Sequence, residues 1–143
     1  MRIKGTGKAE LLVGTAASDI IDGGAGNDTI NSGSGFDTVT GGRGADTFVF
    51  DSHTQYVTIT DFNAAEGDRI VFSSDGSTAA ATSLSSAALY DGMSFEASGG
   101  TCHVGCVDVN GDGIMDTQFS MNGANMFVLG CTPDMLHGSD ILG

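Results

Sequence analysis

Basic side chains are scarce in this sequence, 5 Lys and Arg against 18 Asp and Glu, for a formal charge of −13. Such a charge repels the phosphates of nucleic acid and of anionic lipid, and it favours cationic partners, of which metal ions are the simplest. Long apolar runs are missing as well. No stretch approaches the roughly 18 residues a membrane-spanning helix needs, and MRIKGTGKAE at the start holds no apolar segment of the secretory kind, so neither a span nor an N-terminal signal peptide is expected. Histidine is limited to His53, His103 and His137, none of them in an HExxH, and Ser34 reads GSGF rather than a GxSxG elbow. With no nucleophile, base and metal constellation in view, an enzyme is not expected. Cysteine is equally sparse. Cys102 and Cys106 would lie about 13 Å apart on a strand, so Cys131 is the better disulfide partner for one of them, leaving a spare thiol. The 40% hydrophobic content nonetheless argues against a disordered acidic tail.

Glycine is what the chain has in plenty, 23 of 143 residues, and its spacing is regular. Four nonapeptides follow one another without a gap: GTAASDIID from Gly14, GGAGNDTIN from Gly23, SGSGFDTVT from Ser32 and GGRGADTFV from Gly41. Asp fills the sixth place as Asp19, Asp28, Asp37 and Asp46, and a large apolar residue fills the eighth as Ile21, Ile30, Val39 and Phe48. One period earlier, Gly5–Val13 keeps the glycine and Leu12 but carries Glu10 at the sixth place, as a worn terminal repeat would. Glycines at places one, two and four allow a tight six-residue turn that draws backbone carbonyls together. The next three residues form a short strand with one inward side chain. Each repeat is then half a turn of a coil, and loops on one side come from repeats two apart. A glycine-rich linker would also favour Asp in its turns, but it would not fix Asp at place six together with a hydrophobe at place eight.

This pattern resembles G-G-x-G-x-D-x-U-x, the known calcium-binding repeat of RTX proteins. The resemblance implies an all-β fold, a right-handed parallel β-roll over residues 1–49, followed by a small antiparallel sheet or sandwich cap over 50–143. Calcium takes about six to eight oxygens, a shell that two Asp carboxylates and several loop carbonyls can fill. Asp19 should pair with Asp37 and Asp28 with Asp46, each pair holding one ion, while the carbonyl-bearing loop positions are Gly14, Gly23, Gly24, Gly26, Ser32, Gly33, Gly35, Gly41, Gly42 and Gly44. Glu10 with Asp28 is a weaker third site.

Beyond the repeats, Tyr56–Thr60 and Arg69–Phe72 alternate about a polar turn and read as a β-hairpin. Ser77–Leu89 reads as a loop or one short helix, and Met93–Ala97, Thr101–Val109, Gln118–Met121 and Met126–Leu129 read as strands. The succession GGRGADTFVF, ITDFNAAEGDRIVF, DVNGDGIMDTQFSMNG and closing SDIL is similar to the C-terminal module of serralysin metalloproteases, without their zinc protease domain. That similarity implies a module that folds outside the cell. Its C-terminal export signal for a type I secretion system would correspond to Asp140, Ile141 and Leu142, although a last strand completing the sheet explains the same residues. Asp61 and Asp68 match positions near the family's last calcium loops, as ligands or as turn caps. Asp108, Asn110, Asp112 and Asp116, with Gly113 at the sharp turn, resemble an EF-hand loop, yet Phe119 stands where the bidentate Glu belongs, leaving calcium and a plain acidic turn both open.

Without ions, the six carboxylates between Glu10 and Asp46 face only Arg43 in that segment, so repulsion and glycine entropy should keep the coil unfolded until calcium binds. The leading expectation is a secreted, non-enzymatic calcium-binding module. The alternative is a structural, decoration or adhesin component of a virus particle or cell-surface assembly, suggested by a chain that begins with its own Met and shows no effector domain.

Overall fold

The computed structural model describes residues 1–50, 53–63, 66–72, 94–97, 100–108, 111–113, 116–121, 124–129 and 141–142. Within each nonapeptide the loop is followed by a short strand, and strands two repeats apart stack in parallel. One stack consists of β1 (Arg2–Lys4), β3 (Ile20–Asp22), β5 (Phe36–Thr40) and β7 (Tyr56–Ile59); the other consists of β2 (Leu11–Val13), β4 (Thr29–Asn31), β6 (Thr47–Phe50) and β8 (Arg69–Phe72). Ile21 lies opposite Val39 and Ile30 opposite Phe48. Each three-residue strand turns its middle side chain inward because successive residues of a strand face opposite sides. The inward column of Ile21, Ile30, Val39 and Phe48 is fully buried and is continued by Val57, Ile59 and Ile70, with Ile3, Leu12 and Phe62 packed on it in part. Each fully buried side chain of this size contributes roughly 1.5–3 kcal/mol.

Tyr56–Ile59 and Arg69–Phe72 do not form the expected hairpin. β7 pairs in parallel with β5, and β8 in parallel with β6, in separate sheets. Alternation marks both segments as strands but is blind to their partners. The polar segment between them is a further loop of the coil, tied to its predecessor by side chains described below, so parallel stacking runs past Val49 to Phe72.

The second half is antiparallel as expected. β9 (Ser94–Ala97), β10 (Gly100–Val107), β11 (Asp116–Met121) and β12 (Ala124–Val128) form a meander. It joins the coil edge to edge, because β12 pairs in parallel with β7, Asn125 opposite Tyr56. The result is one eight-stranded sheet in the order β1-β3-β5-β7-β12-β11-β10-β9. β13 (Ile141–Leu142) adds to β8 in parallel and closes the five-stranded sheet. Phe119, Met126 and Val128 extend the core beneath the meander. The Ser77–Leu89 segment lies outside the described residues. No described residue is in an α-helix.

Replacing Ile30, which is 2% exposed, by Ala should lower the unfolding free energy in saturating calcium by about 2–5 kcal/mol. The same change at Leu11, which is 69% exposed, should cost within about 0.5 kcal/mol. Urea denaturation followed by circular dichroism measures both.

Candidate metal centre

The sixth-place carboxylates stand in two rows, one on each side of the coil. Each serves the loop before it. The backbone N–H of Glu10 donates to Asp28 Oδ1 at 2.9 Å, that of Asp28 to Asp46 Oδ1 at 2.9 Å and that of Asp46 to Asp68 Oδ1 at 2.9 Å. On the opposite side Asp19 N–H donates to Asp37 Oδ1, also at 2.9 Å. Strands in a sheet lie about 4.8 Å apart, which sets the rise from one carboxylate of a row to the next. The expected neighbours, Asp19 with Asp37 and Asp28 with Asp46, are therefore brought together in space.

What happens to the second carboxylate oxygen separates the loops into two kinds. In the outer loops it is already held: Glu10 Oε2 accepts from Thr6 N–H at 2.6 Å, Asp19 Oδ2 from the Thr15 N–H at 2.6 Å and its hydroxyl at 2.9 Å, and Asp68 Oδ2 from Asn63 N–H at 2.9 Å. The other Asp19 oxygen lies 3.0 Å from the Met1 ammonium. In the central loops Asp28 Oδ2, Asp37 Oδ2 and Asp46 Oδ2 are buried with no hydrogen-bond partner, as are Ser32 Oγ and the Asp19 Oδ1 that faces the Met1 ammonium. A buried carboxylate oxygen without a donor is costly, so the three central Asp positions call for a cation. Place two is Thr6 and Thr15 in the outer repeats and Gly24, Gly33 and Gly42 in the central ones, but the donor is a backbone N–H that all five possess, so the division comes from how each loop closes and not from residue type.

Glycine shapes the space beside those oxygens. Within the repeats the positive φ angles fall at places two and four, Gly24, Gly26, Gly33, Gly35, Gly42 and Gly44, and not at place one, so the first-place glycine is not the turning residue that its spacing implies. Crowding explains the first-place glycines Gly23 and Gly41, although the repeat between them carries Ser32 there. A Cβ on Gly23 would run into the carbonyl oxygen of Gly41 and stand 2.7 Å from Asp28 Oδ2; one on Gly41 would stand 2.5 Å from Asp46 Oδ2. The first-place carbonyls and the free carboxylate oxygens thus crowd the same gap between loops. Among the described residues no three His, Cys, Asp or Glu side chains converge, so backbone carbonyls must supply much of any ion's shell. An all-oxygen set of anionic and carbonyl donors suits a hard cation such as calcium.

Burial pushes the carboxyls of Asp28, Asp37 and Asp46 above the ordinary carboxylate range, each opposed by the backbone donor from the loop before. Burial also raises Asp68, to about 6. Asp19 is lowered, because the Thr15 N–H bond outweighs its burial.

Other candidate residues are placed less suggestively. Both oxygens of Asp61 accept from the loop it follows, Oδ1 from Gly41 N–H and Oδ2 from Gly42 N–H at 2.8 Å each, which is the capping arrangement. Asp68 is a full rung of its row, a stronger position than the sequence suggested, because the coil makes one more turn than the nonapeptides do. In the loop between β10 and β11, Asp108 spends both oxygens on the N–H groups of Gly111 and Gly113, at 2.8 and 3.0 Å. Asp112 is exposed and Asp116 buried, and Asn110 lies outside the described residues. Cys102 and Cys106 sit on the unbroken strand β10, while Cys131 and His137 lie outside the described residues.

Residues 4–39 and 27–52 match the RTX calcium-binding nonapeptide repeat, in four copies. The AlgE6R2 subunit of the Azotobacter vinelandii mannuronan C5-epimerase is similar in fold, with 22% identity, a TM-score of 0.54, and coverage of 99% of this chain and 91% of that one. The AlgE6R3 subunit of the same enzyme is 25% identical over 94% of this chain and 77% of its own, with a TM-score of 0.47. Comparison with curated proteins gave no match.

The raised carboxyls fix the sign of the pH response. Asp68 binds its proton more tightly folded than unfolded, so its protonated form favours the metal-free fold, and that contribution is lost as pH rises from 3.8 to about 6. Chelator-treated protein should therefore show more β signal at pH 5 than at pH 7. Calcium affinity should change the opposite way, weakening at pH 5 because the ligands must be deprotonated. Circular dichroism spectra and calcium titrations at the two pH values check both signs.

Proposed function

From the RTX calcium-binding repeats that residues 4–52 carry, we propose that this chain is a calcium-driven folding module. It is empty of regular structure where calcium is micromolar and a rigid β-roll where calcium is millimolar. The observation that carries the reading is the set of buried, partnerless oxygens on Asp28, Asp37 and Asp46. Asp28 and Asp46 would hold an ion on one side of the coil with first-place carbonyls such as that of Gly41. Asp37 with Asp19 would hold one on the other, with the carbonyl of Ser32. Bound calcium supplies the positive charge that relieves repulsion along each row, so its binding free energy becomes folding free energy. The chain's own residues do the remainder: Oδ1 of each Asp fixes the loop before it, and the inward hydrophobes stack once the loops are tied.

RTX repeats are typically found in extracellular proteins and are typically non-catalytic. We place the working site of this module outside the cell, where calcium is abundant, and we assign its passage there to a type I exporter that takes the chain unfolded. Deleting residues 139–143 should retain the protein inside an expressing cell that carries such an exporter, and continued appearance in the medium would sink the export assignment without touching calcium binding.

The folding reading is tested by titrating calcium into chelator-treated protein under far-ultraviolet circular dichroism. The expected outcome is a cooperative gain of β signal. Its midpoint should rise at least about tenfold in the double variant Asp28→Ala, Asp46→Ala, which removes about 1.4 kcal/mol or more of coupling. A β signal indifferent to chelator and calcium would overturn the proposal.

A further inference from the structure

The outer face of the eight-stranded sheet carries something the repeats do not require. At the fifth place of the nonapeptides stand Ala9, Ser18, Asn27 and Ala45, all small or polar, whereas the repeat from Ser32 places Phe36 there. Phe36 alternates with the buried Asp37 and Val39, so its ring faces out, and it is 67% exposed. Tyr56 lies opposite it in register on β7, ring centroids 5.2 Å apart. Tyr56 packs in turn on Phe127 of β12, centroids 4.8 Å apart, but Phe127 is 5% exposed, so Phe36 and Tyr56 are the accessible rings. Phe36 is bordered along its strand by Thr38 and Thr40, with Thr58 on β7 and Asn125 on β12, whose Oδ1 accepts from Gln118 Nε2 at 2.8 Å. The outward positions of β5, β7 and β12 carry no charge on a molecule of net −13. Charge resumes on β3 and β1, where Asp22 and Lys4 lie 4.0 Å apart.

We propose that this strip binds an uncharged saccharide chain. A sugar ring offers an apolar C–H face that packs on an aromatic ring, and a rim of hydroxyls that bond to hydroxyl and amide side chains. Rings on adjacent strands with Thr, Asn and Gln beside them supply both halves of that chemistry. An acidic polymer would meet the repulsive field of the whole molecule. Ile20, an exposed apolar residue of β3, stands opposite Thr38 and so diagonal to Phe36, and a protein partner on this face is an outcome that the test separates. The proposal stands apart from the calcium reading except that it needs the folded coil.

The test is isothermal titration of the full chain in millimolar calcium with uncharged hexasaccharides of β-1,4-linked glucose, mannose and xylose, and with hexagalacturonate as the charged control. At least one uncharged chain should bind, hexagalacturonate should not, and Phe36→Ala and Tyr56→Ala should each weaken binding at least about tenfold. The calcium titration curve of the variants under circular dichroism should match wild type, which separates a lost binding face from a lost fold. Absence of binding to all three uncharged chains, unchanged affinity in Phe36→Ala, or equal affinity for hexagalacturonate overturns the proposal. So does a Phe36-dependent dimer in sedimentation without saccharide binding, which would assign the face to a second copy.

Discussion

The coil hangs on one repeated hydrogen bond, from the backbone N–H of a sixth-place residue to the carboxylate of the Asp one full turn later. A short loop cannot satisfy that N–H from within, and burial makes an unmet donor expensive. The sixth-place Asp side chain reaches back across the turn to meet it, and its other oxygen is then carried into the same buried gap. Structural and ionic roles are thus forced on one residue. The bond that orders the loops also lines up like charges, and the same geometry that makes a stable stack makes a stack in need of cations.

The ends of the coil meet that difficulty with the chain's own groups. At the N-terminal end Thr6 and Thr15 close the second oxygen of Glu10 and Asp19. At the other end Asn63 does so for Asp68, and Asp61 caps Gly41 and Gly42. The central loops, with glycine at place two, leave theirs open. The oxygens open to a cation are therefore concentrated in the middle turns, flanked by loops that close on themselves, and the antiparallel meander extends one sheet edge from β7.

The two faces of each strand divide the labour. Inward positions are reserved for Ile, Val and Phe by the narrow interior, and loop positions for Gly and Asp by the turn, so variation is free mainly on the outward faces. Phe36 and its partner Tyr56 lie on that unconstrained side, where neither folding nor ion binding asks for an aromatic ring. An exposed ring there is a clue to binding because burial in the core does not account for it.

The period-nine alternation of Asp and hydrophobe determined the coil, its inward column and the pairing of Asp19 with Asp37 and Asp28 with Asp46, because a strict repeat permits one stacking arrangement. It also marked β9–β12 as strands. The partners of β7 and β8 were not legible: local alternation reads the same in a hairpin and in a coil, and the parallel ladders to β5 and β6, with the bonds Asp61 and Asp68 accept from the N–H groups of loop 41–46, select the coil. Which carboxylate oxygens are left free was likewise decided in three dimensions. The sequence placed a carboxylate at each sixth position, but whether its second oxygen meets a Thr or Asn N–H or an empty gap depends on how each loop closes over the next.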